Sequence, residues 1–251
     1  MDLTTNSIGR QIPTAIDGRS FRPFAGAHTT TGNQPGIARR TAGDPSRSGS
    51  ARGKTTKLLA GWDELLDHMD LHDGATISFH HHLRDGDAIV NEVVGRLAAR
   101  GLRGLTVAPT ALFPVHDRLV PYIESGVIAR VEGSMIGAVG VACSRGAMQG
   151  LSILRSHGGR QRAVQDGELH IDAAFIAAPC ADSFGNANGL YGRSACGPLA
   201  YPVPDSLAAD QVAVITDGLV PYPCSPNPVS GGNVDWVLEV PSIGDSSRIV
   251  S

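Results

Sequence analysis

Thr76-Ile-Ser-Phe-His-His-His-Leu-Arg-Asp-Gly-Asp87 is the stretch on which the reading of this chain turns. It begins with strand formers and switches abruptly to three histidines, an arginine and a Gly-Asp pair, groups that bind anions and move protons. The histidines are internal, which argues against a purification tag. In α/β folds such a switch, at the carboxyl end of a strand, is where ligands sit. A polar loop whose histidines serve neighbouring backbone groups is the plainer alternative, and these residues alone leave both open. If the strand period of two runs on through the histidines, Ile77, Phe79, His81 and Leu83 share one face. His81 is then buried and structural, while His80 and His82 lie with Ser78 and face a ligand. His80 and His82 also have the spacing of a metal pair. No third ligand is identifiable, however, and Arg84 would repel a cation, so no metal is expected.

Outward from this stretch the periodicity is regular. Upstream, Leu58, Leu59, Trp62, Leu65, Leu66 and Met69 fall at helical spacing, and Asp73-Gly74 ends the segment. Downstream, Ile89, Val90, Val93, Val94, Leu97 and Ala98 form a second helical stripe closed by Gly101. Strands are predicted at 75–79, 104–108, 127–132, 151–155, 171–177, 211–215 and 235–240, with further helices near 115–125 and 138–148. Strands alternating with helices at short spacing predict an α/β domain over 58–251, its mostly parallel sheet covered by helices on both faces.

The chain has 251 residues, 41% hydrophobic and 18% charged, enough to bury a core. No run of apolar residues is long enough to span a bilayer. The opening MDLTTNSIGRQIP lacks the apolar segment of a secretory signal, so the expected compartment is the cytoplasm. Four scattered cysteines (Cys143, Cys180, Cys196, Cys224) contain no CxxC pair, which argues against a disulfide framework and a structural zinc site. Residues 1–57 read as an N-terminal extension carrying a net charge of +6, against −9 for the remainder. Its arginines are scattered and its aromatics few, so no nucleic-acid partner is expected. Residues 29–56, rich in Gly, Ser, Thr, Pro and Arg, cannot bury enough surface to offset their ordering entropy and are expected to be flexible. The preceding Phe21–Ala27 is an apolar patch suited to docking on the body.

Two further loops carry chemistry. Ser156-His-Gly-Gly-Arg160 follows a predicted strand. Its glycines would let backbone N–H groups approach an anion, and Arg160 would grip a carboxylate. Its alternative is a plain Gly-Gly turn with a solvated arginine. Ala178-Pro-Cys-Ala-Asp-Ser-Phe-Gly-Asn-Ala-Asn-Gly189 follows another strand, and its alternative is turn chemistry alone. Cys180 has no histidine near it in sequence to activate it. Glu168, Asp172 and Asp182 offer carboxylates, but no spacing marks a catalytic pair. Phosphate-loop, nucleophile-elbow and HExxH motifs are absent.

Taken together, FRPFAGA at 21–27, DGATISFHHHLRDGD at 73–87, SHGGR at 156–160, GELHIDAAFIAAPCADSFGNANG at 167–189 and LVPYP at 219–223 resemble the alpha subunit of citrate lyase. That subunit is the citrate CoA-transferase component. The likeness covers nearly all of the chain after residue 20. It implies an α/β fold of the NagB/RpiA/CoA-transferase type. It also implies a reaction in which the acetyl group of an acetyl-thioester is exchanged for citrate, giving citryl-thioester and acetate. No tightly bound cofactor is implied; the thioester is carried by a dephospho-CoA-derived arm on an acyl-carrier subunit, or by CoA. The implied partners are the beta (lyase) and gamma (acyl-carrier) subunits and a C-terminal CoA-transferase half, with no membrane. On this resemblance His80 and His82 are expected at the oxyanion or substrate. Arg84, Gly86, Asp87, His157, Gly158, Gly159 and Arg160 are expected to bind substrate. Asp182, Gly185, Asn186, Asn188 and Gly189 are expected to shape a pantetheine channel. The chain corresponds to the first of two halves in that family. A non-catalytic binding or assembly module of the citrate lyase complex is therefore the alternative function.

Overall fold

The computed structural model describes residues 2–6, 9–20 and 56–249. The docking expected of 21–27 and the flexibility expected of 29–56, Thr56 apart, lie outside the described residues. The N-terminal segment forms two small antiparallel pairs, β1 (Leu3–Thr5) with β2 (Gln11–Pro13) and β3 (Ala15–Ile16) with β4 (Arg19–Ser20). Arg19 ties it to the body by donating to the carbonyls of Gln149 (3.1 Å) and Gly146 (2.7 Å).

The stripe at 58–69 divides in two. Leu58–Leu59 is a short strand, β5, and the helix α1 begins only at Trp62 and runs to His68. The extended Gly61 stands between them, so the first two leucines pair with a strand instead of joining the helical face. Next come β6 (Thr76–Phe79), α2 (Ile89–Ala99), β7 (Leu105–Pro109), β8 (Ala111–Leu112), α3 (Val120–Glu124), β9 (Ile128–Met135), α4 (Gly137–Ser144) and β10 (Ile153–Leu154). The chain continues through α5 (His157–Gln165), β11 (Ala173–Ala178), β12 (Cys180–Asp182), β13 (Ala187–Asn188) and α6 (Pro202–Ala208). It closes with β14 (Gln211–Thr216), β15 (Leu219–Val220) and β16 (Trp236–Glu239).

The main sheet has nine strands in the order β10-β9-β7-β6-β11-β14-β16-β5, with β8 also on β9, and every pairing in it is parallel. Alternation sorts each strand between two cores. Ile77, Phe79, Ala173, Phe175, Ala213, Ile215, Trp236 and Leu238 face α1 to α4. Ala174, Ile176, Val212, Val214 and Val237 face the other side with Ala163 and Val164 of α5. Residues i and i+2 share a face, so helices on both sides follow from strands apolar at nearly every position. The α2 stripe buries Ile89, Val90, Val93, Val94 and Leu97, each contributing roughly 1.5–3 kcal/mol on leaving water. Phe79 and Phe175 stack with ring centroids 5.7 Å apart.

From β6 the chain steps outward through β7 and β9 to β10. It then returns to the other flank of β6 and steps away through β11, β14 and β16. The two directions part between β6 and β11, and at such a switch point the carboxyl ends of the strands open a crevice. The histidines leave β6 at that place. No helix among the described residues is long and apolar enough to cross a membrane.

Candidate functional site

Strand β6 ends at Phe79, and His81–Gly86 turn as a short 3-10 segment. Alternation therefore stops at His80, which is still extended, and it is the tight turn, not the strand period, that returns Leu83 to the core with Ile77 and Phe79. All three histidines are buried, and each has a different partner. His80 keeps company with Ser78 as the period of two requires. Its Nε2 lies 3.0 Å from Asp205 Oδ2. His82 Nε2 lies 2.7 Å from the Ala177 carbonyl at the end of β11. His81 sits under Thr110: its backbone N–H donates to the Thr110 hydroxyl (2.8 Å), and that hydroxyl lies 2.7 Å from its Nδ1.

These partners fix the protons. A carbonyl only accepts, so His82 carries its proton on Nε2. Burial, with His80 alongside, pushes its pKa down to about 4. It is neutral at pH 7 and shows a lone pair at Nδ1, which is buried without a partner. His82 in this state accepts a hydrogen bond, and a buried acceptor does not stabilise an oxyanion. The Nδ1 of His80 is likewise buried and unpartnered. His81 is also held neutral, its pKa lowered to about 4 by burial and then by His157. With Thr110 donating to Nδ1, its proton lies on Nε2. All three histidines are thus enclosed, at 4, 6 and 8% exposure for His80, His81 and His82, and they differ in their partners and not in their burial. The His81 ring is 4.5 Å from that of His157 and 4.6 Å from that of Tyr201.

Arg160 is only 2% exposed. Its Nη1 donates to Asp205 Oδ1 (2.9 Å), and its Nη2 donates to Asp205 Oδ2 (2.7 Å), Ser78 Oγ (2.9 Å) and the Ala108 carbonyl (2.7 Å). Ser78 Oγ in turn donates to Asp205. Burial alone would raise the Asp205 pKa, yet Arg160 and His80 hold it well below the usual carboxylate range. Arg160 does grip a carboxylate, but the carboxylate belongs to α6 and not to a ligand. The expected Gly-Gly loop is also corrected. Ser156 caps α5 through its hydroxyl, which accepts from Gly159 N (3.1 Å), and His157, Gly158 and Gly159 form the first helical turn. A Ser cap outweighs the helix-breaking cost of two glycines when the next residues, Arg160, Ala163 and Val164, are all buried.

Arg84 stands apart. Its φ of +54° is in the left-handed region, which a residue with a side chain occupies only under constraint. The side chain is half-buried, and among the described residues no acceptor is bonded to its guanidinium. Gly86 and Asp87, by contrast, are spent on packing. A Cβ on Gly86 would lie 2.5 Å from Asp245 O and 2.8 Å from Ile249 Cγ1. Asp87 accepts from Ile89 N (2.6 Å) at the start of α2 and faces His116 Nε2 at 3.5 Å. Gly86→Ala is accordingly expected to cost about 1–3 kcal/mol through overpacking. Urea unfolding reads this directly; an unchanged midpoint would show that the close approach to 245–249 does not constrain the turn.

The 182–189 loop is held by its own side chains. Asp182 accepts from Phe184 N, Asn186 N, Asn186 Nδ2 and Cys224 N. Asn188 donates to the Pro226 carbonyl (2.9 Å) and accepts from Leu190 N (3.0 Å), and Asn186 Oδ1 accepts from Gly231 N (2.9 Å). Gly185 (φ +91°) turns where a Cβ would meet Val234 at 2.7 Å, and Gly189 packs against Cys196 and Gly197. These residues build the loop, and Phe184 within it packs edge-on against the exposed Tyr222, which follows β15. Asp205, Thr110 and Tyr201 escaped the sequence reading, since no local motif marks a partner that arrives from a distant element.

This fold recurs in an acyl-CoA transferase from Escherichia coli O157:H7, with a TM-score of 0.56 at 13% identity over 79% of this chain and 49% of that one. The chain is thus an α/β protein of the CoA-transferase fold class. Residues 55–251 match the family described as Citrate lyase, alpha subunit (CitF), and the chain belongs to that family. It is 40% identical over 199 residues to the citrate lyase alpha chain of Escherichia coli K12, which takes in 79% of this chain and 39% of the relative. A Streptococcus mutans structure, described as an alpha subunit of citrate lyase in complex with citrate, has a TM-score of 0.76 at 41% identity, covering 78% of this chain and 39% of that one. The chain spans about two-fifths of the length of these relatives.

Proposed function

We propose that this chain contributes the citrate side of a CoA-transferase reaction, exchanging the acetyl group of an acetyl-thioester for citrate. The observation that carries the reading is Arg84: a strained, half-buried cation without a partner among the described residues, at the switch point of a citrate lyase alpha family fold. Citrate is a tricarboxylate, and an unpaired guanidinium can hold one carboxylate with two hydrogen bonds. The Streptococcus mutans relative is described with citrate, which supports the same class of ligand.

The chemistry follows from the groups at the crevice. A citrate carboxylate oxygen bonds to the thioester carbon, the C–S bond breaks, and the thiolate leaves a mixed anhydride. The thiolate then attacks the citryl carbonyl and expels acetate. Negative charge collects on the carbonyl oxygen at each step. His81 Nε2–H and the free N–H groups of His157 and Gly158 are donors for it, at roughly 3–4 kcal/mol per donor in a preorganised site. His80 and His82 act one layer down, by holding Asp205 and β11. The thioester is carried on a dephospho-CoA-derived arm of an acyl-carrier subunit, or on CoA. A lyase subunit and an acyl-carrier subunit are the proposed partners.

The test is acetyl-CoA:citrate exchange followed by mass spectrometry for citryl-CoA, alone and with the remaining portion of a relative's alpha chain supplied in trans. Citryl-CoA in either case supports the reading. Its absence in both, with folded protein, favours a binding or assembly module. Arg84→Ala is expected to weaken citrate binding about 10–100-fold, the value of a charged hydrogen-bond pair. Calorimetry with citrate checks it, and unchanged affinity would remove Arg84 from the site.

A further inference from the structure

At the amino ends of β6, β11 and β14, across the sheet from the histidine turn, three side chains converge. His170 and Asp172 precede β11, and Asp210 precedes β14. His170 Nε2 lies 2.9 Å from Asp210 Oδ2 and 3.6 Å from Asp172 Oδ1, and one ligand atom from each residue falls within 4.8 Å of the others. We propose that this triad binds a divalent transition metal, zinc foremost, through one imidazole nitrogen and two carboxylate oxygens.

Metal–ligand bonds of about 2.0–2.1 Å arranged tetrahedrally put neighbouring ligand atoms about 3.3 Å apart, and the distances of 2.9 and 3.6 Å bracket that spacing. The ligands are carried by registered strand starts. Asp172 N donates to Thr76 O (3.0 Å), Asp210 N to Ile171 O (2.9 Å) and Gln211 N to Asp172 O (3.1 Å). Asp172 is also oriented from outside the triad: its Oδ2 accepts from Thr76 N at 2.7 Å, which leaves Oδ1 for the ion. Such support for a ligating carboxylate is what metal sites use to fix their ligands. His170 is 62% exposed, so the site is open for entry and for water as the fourth ligand. One imidazole with two carboxylates suits zinc and its first-row neighbours better than magnesium or calcium, which prefer all-oxygen shells. Protons compete with the ion for any imidazole and carboxylate ligand, so metal binding weakens in acid.

The experiment is calorimetric titration of the untagged, chelator-stripped chain with zinc chloride, in parallel with His170→Ala and Asp172→Ala. The readout is the difference, because the chain has other histidines and thiols. Wild type is expected to bind about one equivalent more than His170→Ala. Asp172→Ala is expected to bind that ion about 10–100-fold more weakly. Zinc should raise the melting temperature of wild type and not of His170→Ala, whose exposed side chain leaves the fold intact. Equal stoichiometry and affinity in wild type and His170→Ala, or an equal melting shift, would overturn the proposal.

Discussion

Arg160→Ala is expected to lower the stability of the fold by about 3–5 kcal/mol, the cost of removing one member of a buried ion pair. The loss is large because Arg160 binds four acceptors on three elements: both oxygens of Asp205 on α6, Ser78 on β6 and the Ala108 carbonyl on β7. Without it, Asp205 remains as a fully buried carboxylate whose only basic neighbour among the described residues is His80. The paired replacement Arg160→Met with Asp205→Leu should cost much less, since no lone charge is then left in the core. Chemical denaturation of the single and double variants forms the cycle. A double variant as unstable as Arg160→Ala would mean that the side chains matter for shape and not for charge. The gap between wild type and Arg160→Ala should also narrow below about pH 4. There the Asp205 of the wild type, held well under its ordinary value, begins to lose the stability it contributes at higher pH.

The same four-sided contact explains what the sequence made legible and what it did not. The sheet was readable because β11 is a continuous apolar run and β7, β14 and β16 are apolar at most positions, and the α2 stripe repeats at helical spacing in five buried side chains. Helix α5 was not, because its first turn is His-Gly-Gly and its apolar face is only Ala163 and Val164, with Arg160 filling the place of a core residue. The position of the histidine turn was legible; the roles of its members were not. The partners of His82, His81 and His80 are Ala177, Thr110 and Asp205, and these lie 95, 29 and 125 residues away. Arg84 was read as a cation near the site, but its positive φ has no signal in a residue type that seldom adopts it.

Acid should expose the buried histidines. His82 titrates near its ordinary 6.5 in the unfolded chain and near 4 in the fold, because burial and then His80 oppose its charge. As pH falls below 6.5 the unfolded state takes up the proton first. The stability from His82 is therefore complete above about pH 6.5, declines from there, and is gone near pH 4. A shift of this size in a fully enclosed ring amounts to about 3 kcal/mol. His81 is shifted in the same direction by burial and then by His157, and that shift is common to both proteins compared below. Asp205 does not confuse the measurement, since its contribution is lost only below the ordinary carboxylate value of 3.8. His82→Gln keeps a donor for the Ala177 carbonyl and has no titration. Its stability between pH 7 and pH 4 should fall by about 3 kcal/mol less than that of wild type. Parallel curves for the two proteins would mean that the His82 ring reaches water. Its Nδ1 would then be free to meet substrate, and the division of labour assigned to the three histidines would have to be reversed.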